Sequence, residues 1–91
     1  MRKIKVDCRN IATPAAFQIY FQHLLSYPGW YGRNLDAMYD MLTEETEPLH
    51  LIFLTGEKMT PEMKTYLSRV KQVLADVSIE SEQFTYEFIT E

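Results

Sequence analysis

Two threonine–proline pairs, Thr13-Pro14 and Thr60-Pro61, constrain this chain more than any other feature. A threonine can accept a hydrogen bond from the first-turn amides, and proline at the first helical position gives up no N–H that a helix would use. Each pair therefore predicts a helix start. Behind the first pair, Phe17, Tyr20, Phe21, Leu24 and Leu25 recur at the spacing of one helical face, and Pro28-Gly29 closes the segment. Behind the second, Met63, Leu67, Val70, Leu74 and Val77 make one long core stripe. The flanking segments read as strands. Ile4 and Val6 alternate with Lys3 and Lys5, giving a short strand with one wet face. Leu49 to Leu54 is a compact apolar run ended by Thr55-Gly56, consistent with a strand buried on both faces. Phe84, Tyr86 and Phe88 alternate with Thr85 and Glu87 in a third. Before Leu49, Asn34 can cap one more helix over residues 35–43, with Pro48 beyond its end. The order is strand, helix, helix, strand, helix, strand. Strands separated by helices pair in parallel with right-handed crossovers. The sequence thus predicts an α/β fold over residues 1–91, a single domain with a three-stranded parallel sheet.

Charge narrows the function. The chain has 13 acidic residues against 9 Lys and Arg, a net charge of −4. Affinity for phosphates comes mostly from Lys and Arg, so direct nucleic-acid binding is disfavoured and a basic partner is favoured. Cys8 is the one cysteine, which excludes an internal disulfide and a cysteine metal cluster. The start, MRKIKVD, lacks the apolar core of a signal peptide, and no run approaches the roughly 18 apolar residues of a membrane span. These features predict a cytoplasmic protein away from membranes, without cofactor or metal, monomeric when free. Cys8 reads as a packed thiol. His23, in the first helix pattern, and His50, in the second strand, read as satisfied structural histidines.

The segment 35–43 carries the most information. On a helical wheel of about 100° per residue, Leu35, Met38 and Leu42 share a core-facing stripe. Tyr39, Thr43, Asp36 and Asp40 fall together on one adjoining arc. Asp36, Asp40 and Glu44 are spaced four apart, so like charges stack, at roughly 0.2–0.5 kcal/mol per pair. Arg33 can relieve Asp36. Asp40 has no Lys or Arg three or four positions away, so a cation from a partner is the economical explanation. Just upstream lies an aromatic cluster of Tyr27, Trp30 and Tyr31, and Tyr and Trp beside charges of one sign are the material of binding hot spots. Acids at 36, 40, 44, 45 and 47, and again at 76, 80, 82, 87 and 91, occur in stretches without Lys or Arg. Side by side, these stretches would form one negative surface that speeds association with a positive partner.

The run Trp30-Tyr31-Gly32-Arg33-Asn34-Leu35-Asp36-Ala37-Met38-Tyr39-Asp40-Met41-Leu42-Thr43 resembles the signature segment of the barstar family, small intracellular inhibitors of a secreted bacterial ribonuclease. The element order agrees with that family's fold along the whole chain. The resemblance implies an inhibitor, not an enzyme, that forms a 1:1 complex with a basic ribonuclease or ribonuclease-like toxin. Asp40 would occupy the ribonuclease's phosphate site, Asp36 would pair with a base at its mouth, and Trp30 would stack on the catalytic histidine. Tyr39 and Thr43 would flank these contacts, with Tyr31, Arg33, Asn34 and Glu44 around them. Asp76 and Glu80 are similar to the family's second acidic patch. The resemblance also implies that the first strand is central in the sheet. The sequence differs from barstar at Tyr39, where barstar has tryptophan, at Glu44 and Glu45, where it has another aromatic, and in its cysteines. Two other readings use the same residues. One is a general interaction module for a basic protein that is no nuclease. The other is a small enzyme using Asp36 and Asp40 to ligate Mg²⁺ or exchange protons, which would need more oxygen ligands and a walled pocket.

Overall fold

Both predicted caps form. In the computed structural model, which describes residues 1–91, Thr13 Oγ1 accepts from the Ala16 amide at 3.1 Å and Thr60 Oγ1 from the Met63 amide at 3.2 Å. The elements are β1 (Arg2–Asp7), α1 (Pro14–Leu25), α2 (Leu35–Thr43), β2 (Leu49–Thr55), α3 (Pro61–Glu80) and β3 (Phe84–Thr90). The α1 helix stops before Pro28. Ser26 turns left-handed (φ 55°), and its amide returns to the carbonyls of Gln22 and His23. No helix is long and apolar enough to cross a membrane.

The three strands form one parallel sheet in the order β1-β2-β3, with Val6, Phe53 and Phe88 in register across it. β2, not β1, is therefore central, as its apolar run suggested and contrary to the family expectation. β2 is not buried on both faces, however. Leu49, Leu51 and Phe53 are fully buried, while His50, Ile52 and Leu54 between them are half-buried. The helices cover one face only, and the opposite face carries Lys3, Lys5, His50, Thr85 and Glu87. His50 is satisfied there, its Nδ1 lying 2.8 Å from Thr85 Oγ1 and its Nε2 2.8 Å from Glu87 Oε2. His23 is not a structural histidine, because its side chain is exposed and bonded to nothing within the chain. Cys8 is fully buried, and burial pushes its thiol up to about 12.

The core draws Phe17, Phe21 and Leu25 from α1, Met38 and Leu42 from α2, and Met63, Leu67, Val70, Leu74 and Val77 from α3. α3 matches its predicted stripe residue for residue. α1 does not. Its buried face is rotated to include Gln18 (1% exposed) and Gln22 (6%), while Tyr20 and Leu24 sit half-out. Amides survive burial only with hydrogen-bond partners. Those partners are Tyr66 of α3 and, for the rest, groups on the segment that leads into α2.

Candidate functional site

The entrance to α2 is fixed by local chemistry. Asn34 is the N-cap, its Oδ1 accepting from the Ala37 amide at 2.7 Å and its Nδ2 donating to the Gly32 carbonyl at 3.2 Å. A side chain at position 32 would place its Cβ 3.2 Å from Ala37 Cβ and 3.3 Å from Asn34 Nδ2, so the close approach favours glycine there. Met38 and Leu42, fully buried, seat the helix on the core. That seating turns Asp36, Asp40 and Glu44 outward, and all three are exposed. None joins an ion pair; the pairs in the molecule are Arg2–Glu45, Arg9–Asp7, Arg9–Glu91 and His50–Glu87. Asp36 lies in the first turn, where the helix dipole favours an anion. Asp40 and Glu44 lie toward the other end, where it does not, and no basic residue occupies the last turn.

Arg33 does not relieve Asp36. Its Nε donates to Gln22 Oε1 at 2.8 Å instead. The aromatic cluster divides. Trp30 is 75% exposed, whereas Tyr31 is 4% exposed and donates its hydroxyl to Gln18 Oε1 at 2.5 Å. Tyr31 is thus packed in the core, against the expectation of a surface contact residue, and leaves very little area free for a partner. Tyr27 packs against it, ring centroids 5.3 Å apart, and against Phe21. Asn34, although exposed, spends its side chain on the cap. Tyr39 is half-buried beside Asp40, and the Thr43 hydroxyl is shared between the carbonyls of Tyr39 at 2.9 Å and Asp40 at 3.0 Å.

Gln18 and Gln22 are the residues that sequence reasoning missed. Gln22 Nε2 donates to the Pro28 carbonyl at 2.8 Å while its Oε1 holds Arg33, so one side chain spans the segment that carries Trp30. Gln18 Nε2 donates to Tyr66 Oη at 2.9 Å while its Oε1 holds Tyr31, joining α1, α3 and the same segment. The available signal was two glutamines four apart, each directly after a phenylalanine of the apolar stripe.

The second acidic stretch divides as well. α2 packs on α3, and Asp76 and Glu80 are both exposed near the end of α3. Gln72 Nε2 donates to Asp76 Oδ1 at 3.0 Å. Ile79 lies beside them, 78% exposed. Glu87 and Glu91 belong elsewhere, paired with His50 and Arg9, and Glu45 is paired with Arg2 at 3.3 Å. The acidic stretches expected from the sequence therefore lose Glu45, Glu87 and Glu91 to pairs within the chain, while Asp36, Asp40, Glu44 and Glu47, and Asp76, Glu80 and Glu82, stay exposed and unpaired. No three His, Cys, Asp or Glu side chains converge as a metal-ligand set.

Comparison with known proteins gives a consistent picture. Residues 1–90 match the family described as barstar (barnase inhibitor). A protein of Bacillus subtilis (strain 168) named "Putative ribonuclease inhibitor YrdF" is 32% identical over 81 residues, covering 88% of this chain and 89% of the relative.

Proposed function

Since this chain belongs to the barstar (barnase inhibitor) family, we propose that it is a non-catalytic inhibitor which plugs the active site of a basic ribonuclease with the acidic face of α2. A ribonuclease site is shaped to hold phosphates and the charge of its transition state. Carboxylates on a rigid helix can take those places through charge-assisted hydrogen bonds. The observation that carries the reading is the state of Asp36, Asp40 and Glu44: exposed, unpaired, and stacked at a spacing where they repel one another. Trp30 supplies a large exposed aromatic next to them, and Asp76 and Glu80 extend the negative surface along α3. Tyr39 and Thr43 flank Asp40 on the same face. The complex is 1:1 and cytoplasmic, and the free inhibitor is a monomer.

The test is titration of the protein into a panel of purified barnase-type ribonucleases, with RNA hydrolysis as the readout. Stoichiometric inhibition is expected, with an association rate that falls as salt rises. Asp40→Ala should weaken binding by at least about 30-fold, the equivalent of the ~2 kcal/mol that marks a hot spot. An Asp40→Ala variant that inhibits as well as the parent overturns the mechanism.

A further inference from the structure

Arg33 interrupts the sign of this surface. It stands beside Trp30, close to the start of the acidic helix, and takes a left-handed backbone conformation (φ 53°) that an L-residue adopts only at a cost. Its side chain is not free to wander, because its Nε is held by Gln22, a side chain only 6% exposed. The same Gln22 holds the Pro28 carbonyl, so the guanidinium and the Trp30 segment are fixed by one group. Arg33 forms no ion pair, although Asp36 is three residues on. Its two Nη groups donate to nothing within the chain. Beside it lies a concavity of about 450 Å³ lined by Gln22, His23, Ser26, Tyr27, Gly29 and Arg33. The lining contains no acid, and His23 is exposed with an unengaged ring.

A guanidinium held by Nε presents the remaining pair of Nη groups as a fork that matches a carboxylate. We infer that this notch receives a carboxylate of the partner protein, bound by the Arg33 fork, and that Gln22 is the positioning residue which holds the fork in place. The inference rests on the reading that the neighbouring face of α2 is the contact surface. It adds that the partner, basic where it meets Asp36 and Asp40, carries an acid a short distance away. Such an alternation of charge fixes register and rejects partners that are merely basic.

General electrostatics and this inference predict opposite signs for one variant. Arg33→Glu moves the net charge from −4 to −6, which by itself would favour a basic partner. If Arg33 holds a carboxylate, Arg33→Glu sets two carboxylates against each other. The experiment measures inhibition constants and association rates against whichever panel ribonuclease the parent inhibits most tightly. Arg33→Glu should bind at least about 100-fold more weakly, and Arg33→Ala about tenfold, the scale of charge-assisted contacts at an interface. Circular dichroism and melting temperature establish that each variant is folded. Gln22→Met, which keeps the volume of the buried side chain, should weaken binding while leaving the salt dependence of association at the parent's value. An Arg33→Glu variant that is folded and binds as well as the parent, or better, refutes the inference. If Asp40→Ala still loses inhibition in that case, the function proposed for α2 stands and only the notch falls. If Asp40→Ala is also silent, or no ribonuclease of the panel is inhibited, both fall together.

Discussion

The buried amide of Gln18 should be worth about 2 kcal/mol of folding stability, and a double-mutant cycle with Tyr31 can isolate it. Gln18 is 1% exposed and joins the Tyr31 hydroxyl at 2.5 Å to the Tyr66 hydroxyl at 2.9 Å. Gln18→Leu keeps a similar volume but strands the Tyr31 hydroxyl in the core, at a cost of roughly 1–3 kcal/mol. Tyr66 is half-exposed, so its hydroxyl can turn to water and adds little. The apolar replacement regains part of the loss, leaving a net of about 2 kcal/mol. Tyr31→Phe leaves Gln18 Oε1 without its donor and should cost about 1.5 kcal/mol. The double variant has neither stranded group across that contact. It should lose about 2 kcal/mol rather than the ~3.5 of the sum, a coupling of about 1.5 kcal/mol. Urea unfolding followed by far-ultraviolet circular dichroism measures all four corners. At 91 residues, 2 kcal/mol corresponds to a fall of roughly 8–16 °C in melting temperature, well clear of error. Additivity within about 0.5 kcal/mol would show that the two side chains do not share a buried bond, and would refute the reasoning.

Two further outcomes follow from the backbone and the thiol. Ser26 caps α1 at φ 55°, a conformation that glycine adopts without a steric cost. Ser26→Gly should raise stability by about 0.5–1 kcal/mol in the same urea assay, and a lowered midpoint would contradict the cap assignment. Cys8 is fully buried with its thiol pushed up to about 12, so it should resist aromatic disulfide reagents at neutral pH and label only as the chain unfolds. Labelling at a rate independent of urea would show that the strand end is open in the native state.

The elements that bury one unbroken apolar stripe were legible in the sequence. Thr60-Pro61 and the five stripe residues of α3 suffice because nothing competes with apolar burial along that helix. α1 was read less well for a physical reason. Periodicity counts apolar residues, and Gln18 and Gln22 are buried for what they bond to rather than for what they avoid. Their partners, Tyr31, Tyr66, Arg33 and the Pro28 carbonyl, are all remote in sequence or on an irregular segment. The same omission hid the fate of Tyr31, since an aromatic in a polar loop gives no sign of whether a buried acceptor awaits its hydroxyl. Sheet order was hinted at only through β2, whose apolar run stood against the family analogy without deciding it. The open face was not, because half-buried Ile52 and Leu54 have the same composition as fully buried residues. On α2 the carboxylates could be placed on one arc from spacing alone, but the preference of Arg33 for Gln22 over Asp36 could not.

The acids of α2 make the free protein less stable than it need be, and Asp40 allows that statement to be tested. Asp40 meets Asp36 one turn back and Glu44 one turn on, with no cation in between. Each like-charge pair opposes folding by about 0.2–0.5 kcal/mol, and a carboxylate toward the helix C-terminus opposes the dipole by a further ~0.3 kcal/mol. Asparagine has nearly the shape of aspartate and a similar helix propensity, so Asp40→Asn removes the charge and little else. It should therefore stabilise the free protein by about 0.5–1 kcal/mol at low salt. The gain should shrink in concentrated salt, since exposed charges are screened within a few ångströms there. The same substitution removes a carboxylate from the proposed contact and should weaken inhibition of the ribonuclease. A residue kept for folding cannot give that combination, because its loss would lower stability and binding together. An Asp40→Asn variant that melts below the parent would mean that the carboxylate serves the fold, and the case for a face reserved for a partner would lose its main support.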